Sequence, residues 1–253
     1  MTNFLGRIFG YCFRYIYDLV SAMGPEPESI SFYAITIIIT TILFRILQVP
    51  LGLKQNKETR KMARVQPKMQ EIQEKYKNDP NTMNAKLQKL MIEEKYNPMA
   101  GCLPLLIQLP IIMAFWRVLQ QPEVFAFQDG TFQNIQLNFF WVPDLKVPDP
   151  WILPLLSAIM TFLTSYLTSK GQVKTQVGEA QERADAMQKN MMIMMPIMIF
   201  FMGKSLAAGL SLYWTVSNSF MLVQQQYFNN VVNKEKEEAL EESREEKIRK
   251  RKN

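Results

Sequence analysis

The sequence predicts an all-α polytopic membrane protein. Five transmembrane helices surround a hydrophilic groove, with a cytosolic helical hairpin and an N-terminal amphipathic interfacial helix. Three observations carry that prediction. Apolar segments recur at about residues 31–53, 99–120, 150–169, 190–203 and 209–230, most of them near the length that crosses a bilayer. Lys and Arg alternate sharply between the intervening segments. Polar side chains recur at helical spacing inside three of the apolar segments. The mean hydropathy, near zero, hides this because very apolar and very charged blocks alternate.

The first element is "MTNFLGRIFGYCFRYIYDLV". Phe4, Leu5, Ile8, Phe9, Cys12, Tyr15, Ile16, Leu19 and Val20 step by three and four residues, one face of a helix. Arg7, Arg14 and Asp18 interrupt it and no small-residue cleavage site follows, so a cleaved signal peptide is not expected. Residues 1–28 are expected to be an extracytoplasmic amphipathic helix lying in the interface, with an ordinary packing helix as the alternative. Residues 29–230 form the five-span core and residues 231–253 a basic cytosolic tail.

Orientation follows from charge. Outside the spans, 23 Lys and Arg fall in the second, fourth and last intervening segments against 4 in the others. The rule that cytosolic loops are basic places the N-terminus outside and the C-terminus in the cytosol. Pro104, Pro110, Pro154 and Pro196 lie inside the spans, where neighbouring helices re-satisfy the freed backbone groups.

The cytosolic segment 54–97 carries its own pattern. Met62, Val65, Met69, Ile72 and Tyr76 step as a coiled-coil seam. "NDPNT" supplies a turn, and Met83, Leu87, Leu90 and Met91 supply the matching stripe. Two antiparallel helices with basic outer faces follow, able to meet a protein partner or anionic lipid heads. The fourth span, "NMMIMMPIMIFFMG", offers about 14 apolar residues, roughly 21 Å of helix against a hydrocarbon core of about 30 Å. It joins the fifth through "KSLAAG" as a tight hairpin and would thin the bilayer locally. The tail is either an exposed helix or disordered, and its basic end suits phosphate contacts.

The chemistry-bearing residues lie within the spans. Arg45 is the single charge in residues 31–53, unfavourable there by roughly 2.5–3.5 kcal/mol on insertion scales. Thr41 and Gln48 share its face. Ser157, Thr161, Thr164, Ser165 and Thr168 form a stripe on the third span, and Ser211, Thr215 and Asn218 one on the fifth; Trp214 neighbours it, and Gln108 sits in the second span. Such faces must meet each other or water. They either knit the bundle together or line a wetted cavity. Arg45 tips the balance toward the cavity. No acidic residue lies in any span, and Arg45 stands about 12 Å from the cytosolic end, far for snorkelling. Arg117, near the outer end of its span, can snorkel.

Several chemistries are excluded or disfavoured. There is no His, which removes Ser-His and Cys-His catalysis and the commonest metal ligand. Cys12 and Cys102 fit neither a disulfide framework nor a zinc spacing. No cofactor, metal or catalytic residue is expected.

"LFRILQVPL", "RVQPKMQEIQEKYKND" and "NPMAGCLPLLIQLPI" together resemble the YidC family of membrane protein insertases, over residues 31–228. The resemblance implies a non-enzymatic insertase of the shorter Gram-positive type in the bacterial plasma membrane, without the large external domain of Gram-negative members. It implies a groove closed outside and open to cytosol and lipid, containing Arg45, Thr41, Gln48, Gln108, Ser157, Thr161, Thr164, Thr168, Ser211, Trp214, Thr215 and Asn218. Arg45 would attract acidic residues of a nascent membrane protein, whose apolar segment then slides along the third and fifth spans into the lipid bilayer. The cytosolic hairpin, residues 170–189 and the tail are the implied contacts for the ribosome and the Sec translocon. A small anion transporter or channel using Arg45, and a purely structural assembly scaffold, remain the alternatives from other classes. No internal repeat supports the transporter.

Overall fold

The structure is a computed structural model that describes residues 2–95, 103–170 and 179–252. Among them, eight α-helices and one 3-10 turn (Thr131–Asn134) occur and no strand beyond isolated bridges. The helices are α1 (Thr2–Ser21), α2 (Phe32–Lys75), α3 (Pro80–Glu93), α4 (Leu103–Gln120), α5 (Pro122–Phe125), α6 (Ile152–Lys170), α7 (Glu179–Ser205) and α8 (Ala208–Lys252). The all-helical class is as the sequence predicts. Two stretches, Phe32–Leu53 and Ile152–Ser169, are long and apolar enough to cross a membrane.

α2 begins where Ser31, in extended conformation, accepts the Ala34 N–H on its side-chain oxygen at 3.2 Å. It then runs unbroken through Pro50 and Pro67 to Lys75. The apolar stretch Phe32–Leu53 and the first arm of the hairpin are therefore one helix, roughly 66 Å long at 1.5 Å per residue. Asp79 turns the chain back by accepting from the backbone N–H of Thr82 at 3.1 Å and its hydroxyl at 2.6 Å, with Pro80 opening α3. Those bonds, the Thr82 hydroxyl first, hold the Asp79 carboxyl below its ordinary pKa. Lys68 of α2 pairs with Glu94 just beyond α3, and Val65 is buried in the hairpin.

Two expectations about element ends are refined. α7 already starts at Glu179, within residues 170–189, so the short apolar stretch expected as the fourth span belongs to a 27-residue helix. The tail continues α8 as helix to Lys252. Residues 96–102, which hold Cys102 and the start of the "NPMAGCLP" motif, and residues 171–178 lie outside the described residues.

α6 packs along both α7 and α8, α2 along α8, and α1 along α4 and α2. The core is rich in aromatic rings. Phe9 stacks on Phe44 with centroids 4.2 Å apart, Phe13 meets Tyr33 edge-on at 5.3 Å, and Phe115 stacks on Tyr213 at 4.5 Å. α1 thus buries Phe9, Phe13, Ile16 and Val20 against the core, while Phe4, Ile8, Tyr11, Tyr15 and Leu19 stay exposed on another face. The helix is apolar on two sides, one packed against the core and the other exposed.

The segment between α4 and α6 folds over one end of the bundle. Phe140 N–H donates to the Ser29 carbonyl at 2.7 Å and Ser31 N–H to the Asn138 carbonyl at 3.0 Å. Asp149 caps α6 through the Leu153 N–H at 2.6 Å. The carbonyls of Val147 and Leu145 accept the first N–H groups of α8, from Ala208 and Gly209, at 3.0 and 2.9 Å. That satisfies a helix N-terminus without side chains.

Candidate functional site

Arg45 lies at mid-helix in α2, where the one-face spacing of Thr41, Arg45 and Gln48 aims it toward α4 and α8. It is half-buried. Its Nε donates to Ser217 Oγ of α8 at 2.7 Å, and Nη2 donates to the same oxygen. Nη1 reaches Gln48 Oε1 and Gln108 Oε1, each at 3.5 Å, the outer limit of a hydrogen bond. Gln108 Nε2 donates to the Tyr213 hydroxyl at 3.0 Å. Arg45 thus joins α2 to α8 through Ser217 and to α4 through Gln108, which reaches α8 in turn through Tyr213. Among the described residues, no carboxylate lies within ion-pairing distance of Arg45.

The other expected site residues divide by position. Gln48 and Gln108 belong to the Arg45 cluster. Thr41, 1% exposed, turns its hydroxyl back to the Ile37 carbonyl at 2.6 Å instead of reaching Arg45. On α6, Ser157, Thr161 and Thr164 are buried and donate to carbonyls of their own helix. Thr161 also accepts from Asn218 Nδ2 at 3.1 Å, and Thr164 donates to the Asn218 carbonyl at 3.2 Å. Asn218 further donates to the carbonyl of Trp214, a buried ring. These bonds fasten α6 to α8. Ser211 is fully buried, and a Cβ on Gly203 would come within 2.8 Å of its oxygen, so α7 and α8 approach closely there. Thr215 is half-buried and donates to the Ser211 carbonyl. Thr168 is exposed toward the far end of α6.

Ser217 and Tyr213 are the site residues that sequence reasoning missed. The fifth-span stripe runs through Ser211, Thr215 and Asn218, whereas Tyr213 and Ser217 form a second pair at i and i+4 on the opposite face of the helix. The available signal was a hydroxyl pair one turn apart in an apolar run. The arrangement holds one fixed positive charge among uncharged hydrogen-bonding groups, and it contains neither a nucleophile–base pair nor, among the described residues, a group of three or more metal-ligating side chains.

At the opposite end from the hairpin a second electrostatic cluster binds α1. Arg14 donates to Asp18, Asp129 and the Thr131 hydroxyl at 2.9–3.1 Å. Burial alone would lower the Arg14 pKa, but Asp18 and then Asp129 outweigh it and raise it. The Thr131 hydroxyl, with a smaller contribution from Arg14, holds the Asp129 carboxyl low. Burial pushes Glu123 up, and its pairing with Lys146 at 2.7 Å wins and lowers it.

The fold and this site define a class: an all-helical membrane protein that keeps one guanidinium, without a carboxylate in reach, between three of its helices. A family model described as "60Kd inner membrane protein" matches residues 27–236, and the chain belongs to that family. Relatives named "Membrane protein insertase YidC" agree. That of Enterococcus faecalis is 42% identical over 218 residues, covering 83% of this chain and 72% of the relative. That of Fusobacterium nucleatum is 36% identical over 220 residues, covering 85% and 96%. "Membrane protein insertase YidC 1" of Listeria monocytogenes serotype 4b is 40% identical over 214 residues, covering 82% and 68%. The resemblance carried by the three motifs is thereby confirmed.

Proposed function

We propose that the protein is a membrane protein insertase that takes nascent chains from the cytosol into the lipid bilayer, without a covalent step. The family and the names of its relatives support this reading. The observation that carries the mechanism is Arg45: a half-buried cation whose nearest partners are all uncharged. A cation held in a low-dielectric cleft attracts an anion more strongly than the same charge in water. The missing counter-charge arrives with the substrate, as an acidic residue in the translocating tail of a nascent segment. Gln48, Gln108, Thr215 and Thr168 offer hydrogen bonds along a hydrated groove, and the α6–α8 pair guides the apolar part of the segment toward lipid.

In this reading the chain is a multi-pass plasma-membrane protein with five spans, its N-terminus outside and its C-terminus in the cytosol. Its partners are the ribosome, met by the hairpin and the basic helical tail, and the Sec translocon. The exposed methionines of α7, among them Met191, Met194 and Met198, offer an adaptable apolar surface to lipid or to varied substrates.

The test is charge retention at position 45. Arg45→Lys is expected to keep most activity toward a single-span substrate with an acidic tail in proteoliposomes. Arg45→Ala is expected to lose about tenfold, the loss of one charge-assisted contact. Equal activity of the two variants would remove the basis for this mechanism.

A further inference from the structure

We infer that Ser217 is the positioning residue for the Arg45 guanidinium: it holds the Nε–Nη2 edge and so leaves the Nη1 side as the face offered to a substrate carboxylate. The inference rests on the insertase reading above and deepens it.

The geometry sets the constraint. An arginine pairs bidentately with a carboxylate either along the Nε–Nη2 edge or across the two terminal nitrogens. Here the first edge is occupied, because both Nε and Nη2 donate to the single oxygen of Ser217. That oxygen is 1% exposed as part of its residue, so neither water nor substrate displaces it readily. Its two lone pairs are taken by the guanidinium. Beside it, Tyr213 is stacked on Phe115 and accepts from Gln108. The serine hydroxyl cannot rotate away without breaking both bonds to the guanidinium.

The other side of the guanidinium is held loosely. Nη1 has Gln48 and Gln108 at 3.5 Å, bonds long enough to be exchanged for a carboxylate at a smaller cost than the Ser217 bonds. Both glutamines are half-buried, and their amides can turn to donate to the same anion. The unequal hold on its two sides imposes direction. It selects an anion that approaches past Gln48 and Gln108, end-on to the arginine, and disfavours approach along the α8 side.

The experiment measures insertion of two single-span substrates that differ only in an acidic or a neutral translocated tail, by wild type, Ser217→Ala, Ser217→Cys and Arg45→Ala in proteoliposomes. The readout is the acidic-to-neutral ratio, which a general loss of folding would not change. The thiol of Ser217→Cys keeps the volume but accepts hydrogen bonds weakly, so a cavity effect of the alanine is controlled. The expected result is a ratio lowered about tenfold in both Ser217 variants, toward that of Arg45→Ala. A ratio that falls in Arg45→Ala and stays at the wild-type value in both Ser217 variants would overturn the positioning role while leaving the insertase mechanism standing. A ratio unmoved by Arg45→Ala would overturn both.

Discussion

Arg45 is readable from sequence as an anomaly, one charge in an otherwise apolar span, but its holder is not. Which hydroxyl meets a guanidinium depends on the rotation of α8 relative to α2, and a helical stripe fixes rotation only to within a face. For the same reason, polar residues that share a spacing have different surroundings: Thr161 is locked between Ser157 and Asn218, while Gln48 and Thr215 are half-buried. Single cysteines at 48 and 215 are expected to react with a water-soluble maleimide at least tenfold faster than one at 161, since a side chain bonded inside a helix contact is reached only by local opening. Equal rates at all three positions would contradict the burial pattern. Glycines separate in the same way. A Cβ on Gly10 would sit 2.1 Å from the Phe125 carbonyl oxygen, a backbone atom, whereas on Gly52 its one close neighbour would be the Gln224 amide at 2.8 Å, the end of a long side chain. Gly10→Ala is expected to destabilise by about 1–3 kcal/mol, as overpacking does, and Gly52→Ala to change little. Melting of the two variants in detergent checks this contrast.

Among the elements, α2 and α8 teach the clearest lesson. Hydropathy marks where a helix leaves the apolar layer, and it was read as the end of each element. Helical propensity, however, continues through the charged residues, so α2 passes from its apolar stretch into the hairpin and α8 from its apolar half into the tail. The hairpin turn was readable because Asp79 and Pro80 have specific roles at a helix start. The docking of α1 was not, since its partners Asp129 and Thr131 stand more than a hundred residues away in sequence. That docking carries a pH dependence. Asp129, which holds Arg14 of α1, has a folded pKa below its ordinary one. Its contribution is therefore complete above the ordinary carboxylate range and is lost as pH falls through the depressed folded value. Release of α1 to protease is expected to rise below about pH 4. Asp129→Asn should flatten that rise, and an unaltered profile in the variant would show that the carboxylate plays no part.

For the whole molecule, composition and charge alternation were enough to name the class, because membrane insertion leaves its mark on every segment. They do not reveal how the helices associate, since within lipid that depends on shape and polar contacts instead of a hydrophobic difference. The proposed topology is checked by labelling with a membrane-impermeant maleimide. Gln133→Cys, exposed beyond α5, is expected to label in intact cells, and Asn78→Cys, at the hairpin tip, only after permeabilisation. The reverse pattern would invert the orientation. The central claim is that nascent segments pass through the space beside Arg45, between α2, α4 and α8. It is tested most directly by placing a photoreactive residue at Gln48, at Gln108 and, as a control, at the exposed Tyr11 of α1, in the presence of a ribosome-stalled single-span chain. The account predicts crosslinks to the nascent chain from 48 and 108, lost when Arg45→Ala meets an acidic-tailed substrate, and none from 11. Crosslinks of equal yield from all three positions, or from 11 alone, would contradict it.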